Sequence, residues 1–277
     1  MVGNRSYRLK IAIPSSFTVE SADPKLRAYK VGQVARAASI FRVDEVAVYR
    51  DPEYDGSKEM LALLRYAETP QYLRKHLFKP SQELRYAGVL PPLRLPTHRV
   101  HAPLAEGQIR EGVVLRRNGM TEDGSDAAAW VDVGATSPIP AAESLHAGRR
   151  ITVRIYSRDG KFWCTPERFP GYPGYTTRYY PTLSGLIDRQ SQVIVTSVEG
   201  ERVSCDLLQR LRKEWSGDMM VIFGSPHRGV GPILGDGGHA LSEFPCTIIN
   251  VVPDQGSATV RTEEAVFAAL ALINIIE

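Results

Sequence analysis

The stretch that decides the fold opens with Gly224-Ser225-Pro226-His227-Arg228-Gly229. It continues through the apolar run Cys246-Thr247-Ile248-Ile249-Asn250-Val251-Val252 and then Pro253-Asp254-Gln255-Gly256-Ser257-Ala258-Thr259-Val260-Arg261-Thr262-Glu263-Glu264-Ala265, ahead of an apolar terminal helix. Two loops rich in small residues, each following a strand, leave backbone amides and carbonyls open to a ligand, because glycine permits close approach. The second loop runs into a helix, whose first N–H groups lack intrahelical partners. Arg261 and Glu263 place charge beside an otherwise apolar element, which points to chemistry more than to packing.

Working outward, the same grammar recurs. Ser191–Thr196 reads as a buried strand, Cys205–Trp215 as a helix with Leu207, Leu208 and Leu211 inward, and Met219–Phe223 as a strand running into Gly224. Leu183–Arg189 reads as helical, and Glu263–Ile276 as the last helix. At the other end, Lys10–Ile13 is a short strand, and Asp23-Pro24 has the form of an N-cap with proline at the first helical position. Leu26, Tyr29, Val34, Ala37 and Phe41 follow at helical spacing. Val43–Val48 alternates as a strand, Ser57 opens a helix with Met60, Leu61, Leu64 and Ala67 inward, and Thr69-Pro70 opens another through Phe78. Strands alternating with helices predict a parallel sheet covered by helices.

That pattern stops at Pro91-Pro92. From there to about Thr165 the signals are those of strands: Glu111–Arg116, Ala129–Val133, and Arg150–Tyr156 with Lys161–Cys164 around the turn Ser157-Arg158-Asp159-Gly160. Met120–Asp126 reads as a polar loop. The expected organisation is an α/β domain from residues 1–88 and 166–277, with residues 89–165 inserted as an OB-like β-barrel.

Composition narrows the function. With 277 residues and a hydrophobic fraction of 43%, the chain can bury roughly three quarters of its extended surface. Cys164, Cys205 and Cys246 are far apart and without metal spacing, which argues against a disulfide frame or a zinc site and predicts a reducing, cytoplasmic setting. No signal-peptide pattern is read at the start, and Ala265–Ile276 is shorter than the ~20 residues that span a bilayer. The net charge of +3 is uneven: residues 1–86 carry 15 basic and 10 acidic side chains, and residues 166–277 carry 9 and 13. A basic front and an acidic rear suit a polyanion on one part and a small ligand on the other, although ordinary surface charge gives the same pattern.

Three strand ends, Thr196-Ser197, Gly224-Ser225 and Asn250–Gly256, are expected on one edge of the sheet, where open α/β sheets bind ligands. Tight turns built from small residues are the alternative. No P-loop pattern occurs, and Gly229-Val230-Gly231-Pro232-Ile233-Leu234-Gly235 imitates a dinucleotide loop poorly, with no helix expected after Gly235. His98, His101, His227 and His239 lack partners at ligand spacing and read as structural or surface residues. The run Phe169–Tyr180 places four tyrosines and Arg178 in one glycine- and proline-rich loop, which suits stacking on an unpaired base as well as local packing.

Thr69-Pro70-Gln71-Tyr72-Leu73-Arg74-Lys75-His76-Leu77-Phe78, Gly174-Tyr175-Thr176-Thr177-Arg178, Thr196-Ser197 with Glu199-Gly200, and Gly256 through Ala265 together resemble the SPOUT class of S-adenosylmethionine-dependent RNA methyltransferases, the α/β-knot enzymes. The nearest subgroup is that of archaeal and eukaryotic proteins with an OB-like insertion, relatives of the centromere-associated SPOUT protein. Where many members have Gly-x-Glu-x-Gly in the first ligand loop, this chain has Gly224–Gly229 and no acid.

The resemblance implies a trefoil knot whose loops hold bent S-adenosyl-L-methionine. Carried onto this chain, those loops are Thr196, Ser197, Gly224, Ser225, Asn250, Val251, Val252, Gln255, Gly256, Ser257 and Thr259, with adenine on main-chain groups of Val251 and Val252. It implies a homodimer, with Val266, Leu270 and Ile273 of the last helix as part of the interface, and no metal. The expected reaction is methylation of an RNA base, uridine N3 favoured, in ribosomal RNA, with tRNA second. A non-catalytic RNA-binding or ribosome-assembly factor that keeps the pocket is the alternative. Arg261 or Arg178 would stabilise the base anion, Glu263 is the candidate proton acceptor, and Tyr172 or Tyr175 would stack the base. Arg74, Lys75, Arg116, Arg117, Arg149 and Arg150 are the expected RNA contacts.

Overall fold

The computed structural model describes residues 7–100, 103–115, 119–120, 126–187, 192–215 and 217–276. In chain order the elements begin β1 (Leu9–Pro14), α1 (Pro24–Ile40), β2 (Glu45–Tyr49), α2 (Ser57–Glu68) and α3 (Gln71–Leu77). Then come β3 (Ile109–Leu115), β4 (Gly119–Met120), β5 (Asp126–Ala127), β6 (Ala129–Asp132), β7 (Ile139–Ala141), β8 (Arg150–Arg158) and β9 (Lys161–Pro166). The chain closes with β10 (Thr176–Tyr180), β11 (Gln192–Arg202), α4 (Cys205–Glu214), β12 (Met219–Ile222), α5 (Val230–Asp236), β13 (Cys246–Asn250) and α6 (Thr262–Ile276).

Two compact units form. Among the described residues, one comprises 7–68, 82–93 and 174–276, and the other 69–81 and 94–173. The first is α/β. Its six strands run in the order β10-β2-β1-β12-β11-β13, and every pairing is parallel. The alternation read in Val43–Val48 does not become a half-exposed strand: all five residues of β2 are buried. Parallel strands covered on both faces read as continuous runs. Helix α1 starts as expected, with Asp23 Oδ1 accepting from Lys25 N at 2.8 Å and Pro24 in the first turn. Among the described residues, no helix is long and apolar enough to cross a membrane.

Three elements of this unit differ from the expectation. Thr176–Tyr180 is not loop but the edge strand β10, paired with β2. Leu183–Ile187 makes one turn, with Ile187 N on Leu183 O, instead of a helix, and residues 188–189 lie outside the described residues. Val230–Asp236 is a short helix, which Pro232 permits because it falls in the first turn, where an N–H has no intrahelical acceptor.

The second unit is a closed barrel in the order β3-β6-β7-β9-β8, with a core from Val114, Val131, Val153, Ile155 and Cys164. The β8–β9 hairpin turns at Asp159 (φ 50°) and Gly160 (φ 74°), two left-handed residues that match the twist of the strands. The polar stretch 119–127 contributes the two-stranded ribbon β4–β5, and residues 121–125 lie outside the described residues. Helix α3 belongs to this unit. Tyr72 OH donates to Glu111 O at 2.8 Å, and His76 Nε2 lies 2.8 Å from Asp132 Oδ2. Burial works against the charge on Asp132, but the Gly134 N–H, His76 and Lys75 outweigh it and hold the carboxyl below its ordinary range.

Candidate functional site

The α/β unit carries a cavity of about 340 Å³ at the bulge of β11 and the ends of β12 and β13. Its wall comes from four segments: Thr196–Val198, Phe223–Gly229, Asn250–Val252 and Gln255–Ala265. Thr196–Val198 is not the strand end expected from the sequence but the bulged middle of β11, while the other three segments lie beyond the carboxyl ends of β12 and β13, where parallel strands leave a crevice between their loops.

Each loop is held by its own polar side chains. Thr196 Oγ1 donates to Ile222 O at 3.2 Å, tying β11 to β12, and Ser197 Oγ accepts from Glu199 N at 3.2 Å. Strand β11 bulges between Thr196 and Glu201 against β13. Gly200 makes this possible, since a Cβ there would meet Ile249 backbone atoms at 2.6–2.8 Å. Ser225 Oγ accepts from Arg228 N at 3.1 Å, and Thr262 Oγ1 donates to Gly224 O at 3.3 Å. Tyr49 OH donates to Phe223 O at 2.5 Å; burial, then the charge of Asp51, keeps it a neutral phenol far above its ordinary range. Gln255 Nε2 donates to Ser257 O and Ala258 O, both at 3.1 Å, and Ser257 Oγ donates to Thr259 O at 2.8 Å.

Nine of the eleven residues expected around the donor line this one cavity: Thr196, Ser197, Gly224, Ser225, Asn250, Val251, Val252, Gln255 and Thr259. Gly256 and Ser257 sit in the same loop without lining it. The main chain of Val252 is less open than expected, because its N–H donates to Asn250 Oδ1 at 3.0 Å while Asn250 Nδ2 donates to Val198 O.

The expected catalytic residues are dispersed. Arg261 is exposed at the rim, between the lining residues Val260 and Thr262. Arg178 lies on edge strand β10, three strands from β12, with its guanidinium 5.3 Å from the Tyr180 ring. Glu263 turns from the cavity toward α1: its Oε2 is 3.8 Å from Lys30 Nζ and has no hydrogen bond. Burial raises its pKa, against the pull of Lys30 and Arg261.

The expected RNA contacts divide similarly. Tyr175 is buried at 3% exposure, with its OH on Leu64 O at 2.9 Å, so it cannot stack a base. Tyr172 is half-buried in the barrel unit. Arg74 Nε donates to Thr69 O, Lys75 Nζ is 3.4 Å from Asp132, and Arg150 Nε is 2.7 Å from buried Glu111. Arg149 is exposed, while Arg116, Arg117 and His101 lie outside the described residues. Val266, Leu270 and Ile273, expected at a dimer interface, are buried within the chain.

Sequence reasoning missed the charged group at the first loop. His227 and Arg228 line the cavity. His227 Nδ1 lies 2.8 Å from Glu53 Oε1, and Arg228 Nη2 lies 2.9 Å from Asp51 Oδ1 and also contacts Asp236. Asp51 is fully buried and accepts from Ser16 Oγ at 2.5 Å. The hydrogen bond to Asp236 above all, with Asp51 and Glu53, holds the proton on Arg228 more firmly than usual. Two acids beside this loop, Asp51 and Glu53, thus come from the segment after β2, over 170 residues away in sequence.

A family model described as "Putative RNA methyltransferase" matches residues 8–273. Uncharacterized proteins of Haloarcula marismortui and Halobacterium salinarum are each 36% identical, over 96% of this chain and 99% of their own. The 28S rRNA (uridine-N(3))-methyltransferase of Homo sapiens is 32% identical, over 97% of this chain and 78% of its own.

Proposed function

The chain belongs to this RNA methyltransferase family, and from that premise we propose that it methylates uridine N3 in ribosomal RNA with S-adenosyl-L-methionine as donor. The observation that carries the proposal is the cavity formed by the bulge of β11 and the loops after β12 and β13. Its volume lies within the roughly 300–1,000 Å³ of small-molecule sites. Its wall alternates Val198, Phe223, Val251, Val252 and Val260 with Thr196, Ser197, Asn250 and Thr259, a mixture suited to a nucleoside with an amino-acid tail. Arg228, the one cationic side chain among the described lining residues, fits an anionic or carbonyl group of such a ligand.

The donor supplies an activated methyl carbon, so the chain's task is alignment. Holding the nucleophile in line contributes on the order of 7 kcal/mol or more. The loops around Gly224 and Gln255 orient the ligand, Arg261 at the rim meets the developing charge of the base or a phosphate beside it, and Thr262 keeps the start of α6 on the Gly224 loop. Asn250, by engaging Val252 N–H, leaves the Val251 and Val252 carbonyls as the acceptors for an adenine amino group.

The trefoil knot of the SPOUT class, an OB-like character for the barrel, RNA docking on it, and a cytoplasmic homodimer belong to the same reading. For the dimer, Leu26 and Tyr29, one turn apart on α1 and half exposed, offer an apolar surface in place of the buried face of α6. The test is incubation of the protein with labelled donor and total RNA, followed by nucleoside analysis. N3-methyluridine in ribosomal RNA is expected. Donor binding without label in any RNA would favour a non-catalytic assembly factor.

A further inference from the structure

We infer that His227 is the general base of the methyl transfer, with Glu53 as its positioning residue. The inference rests on the N3-uridine reading. Uridine N3 carries a proton, and its lone pair is available to a methyl group only once that proton has a destination.

The cavity wall limits the choice. Among its described residues His227 and Arg228 alone have ionisable side chains, and a guanidinium cannot accept a proton near neutral pH. Imidazole can. Asp254, the acid within the second loop, pairs with Arg202 and does not line the cavity, and Glu263 at the start of α6 faces Lys30 of α1. Glu53 Oε1 at 2.8 Å from His227 Nδ1 keeps the hydrogen on Nδ1 and the lone pair on Nε2, and it stabilises the imidazolium once formed.

The surrounding charges hold Glu53 in place. Arg228 Nε lies 3.9 Å from its other oxygen, and Arg228 is itself held by Asp51 and Asp236. His227 is half exposed, which opens a route for the proton to water.

The step balances. Nε2 takes the N3 proton, the N3 electron pair forms the bond to the methyl carbon, and the carbon–sulfur bond of the sulfonium donor breaks with its pair returning to sulfur. The imidazolium then releases the proton to solvent.

The test uses the full chain carrying His227→Ala, His227→Gln or Glu53→Gln. Calorimetric titration with S-adenosylhomocysteine reports the site independently of turnover, so that any loss of affinity in the three variants is separated from their loss of rate. Methyl transfer by the His227 variants should fall about 10²- to 10⁴-fold near neutrality. The deficit should shrink as pH rises toward the range where uridine N3 ionises unaided, and added imidazole should restore part of the rate to His227→Ala. Glu53→Gln should lose less, and the loss should fall on kcat with KM for RNA little changed, because the imidazole loses the partner that orients it.

Wild-type rates in the His227 variants, or an equal loss at every pH without imidazole rescue, would overturn the role of His227. If the wild type makes a product other than N3-methyluridine, the reading beneath it falls as well. N3-methyluridine made at full rate without His227 overturns this inference alone.

Discussion

Gly200 sets how closely β11 can fold over β13. With three Ile249 backbone atoms at 2.6–2.8 Å from a Cβ at this position, Gly200→Ala cannot be relieved by a rotamer change. The bulge must lift from β13, at a cost of about 1–3 kcal/mol. Because Thr196–Val198 forms one side of the cavity, donor binding should weaken together with stability, as read by denaturant melts and calorimetry on the same variant. Glu263 makes a different kind of prediction. Burial raises its pKa in the folded state, so between the ordinary glutamate value, about 4.3, and the raised one the folded chain holds more protons than the unfolded chain. Stability therefore falls as pH climbs through that window. Glu263→Gln should remove this decline, so that unfolding free energies of the two proteins diverge as pH rises from about 4; parallel pH profiles would show that Lys30 satisfies the carboxylate fully.

At the scale of elements, legibility followed the range of the forces involved. Helix α1 was readable because its signals are local: Asp23, Pro24 and the apolar spacing through Phe41. Asp23→Ala should cost about 1 kcal/mol by leaving Lys25 N–H to water, a loss measurable as a lowered denaturation midpoint. The β8–β9 hairpin was readable for a similar reason, since Asp159-Gly160 is built for positive φ. Strand β10 was not, because Thr176, Arg178 and Tyr179 look outward from a sheet edge and carry no apolar alternation. Helix α5 was hidden by Gly231, Pro232 and Gly235, and it is held by Val230, Ile233 and Leu234 entering the core beside Ile222 and Val195. That Gly224-Ser225 and Asn250–Gln255 would follow strands and share one cavity was readable from their small residues, while Thr196-Ser197, read as a strand end, lies inside β11. The His227–Glu53 and Arg228–Asp51 pairs were not, because each joins residues 174 or more positions apart and neither half is unusual alone.

For the whole molecule, the contrast is between charge that holds the fold and charge left for a polyanion. The basic excess of residues 1–86 looked like an RNA footprint, yet much of it is committed. Arg27 pairs with Glu59, Lys30 with Glu20, Lys58 with Glu83 and Lys75 with Asp132. In the barrel two adjacent arginines separate the roles. Arg150 Nε meets Glu111 Oε2 at 2.7 Å, while Thr152 Oγ1 donates to Oε1 of the same carboxylate at 2.5 Å. Arg150→Ala would leave Glu111 buried without its cation, which costs about 1–3 kcal/mol. Arg149 is exposed at the start of the same strand. If the barrel holds single-stranded RNA, Arg149→Ala should lower affinity without lowering stability. It should also flatten the dependence of log affinity on log salt by about 0.7, the share of one phosphate contact. Arg150→Ala should instead lower the melting midpoint and leave that slope unchanged for the fraction that stays folded. Anisotropy titrations over a salt series, paired with thermal melts, separate the two. An unchanged slope in Arg149→Ala would move the RNA-binding surface off this end of β8.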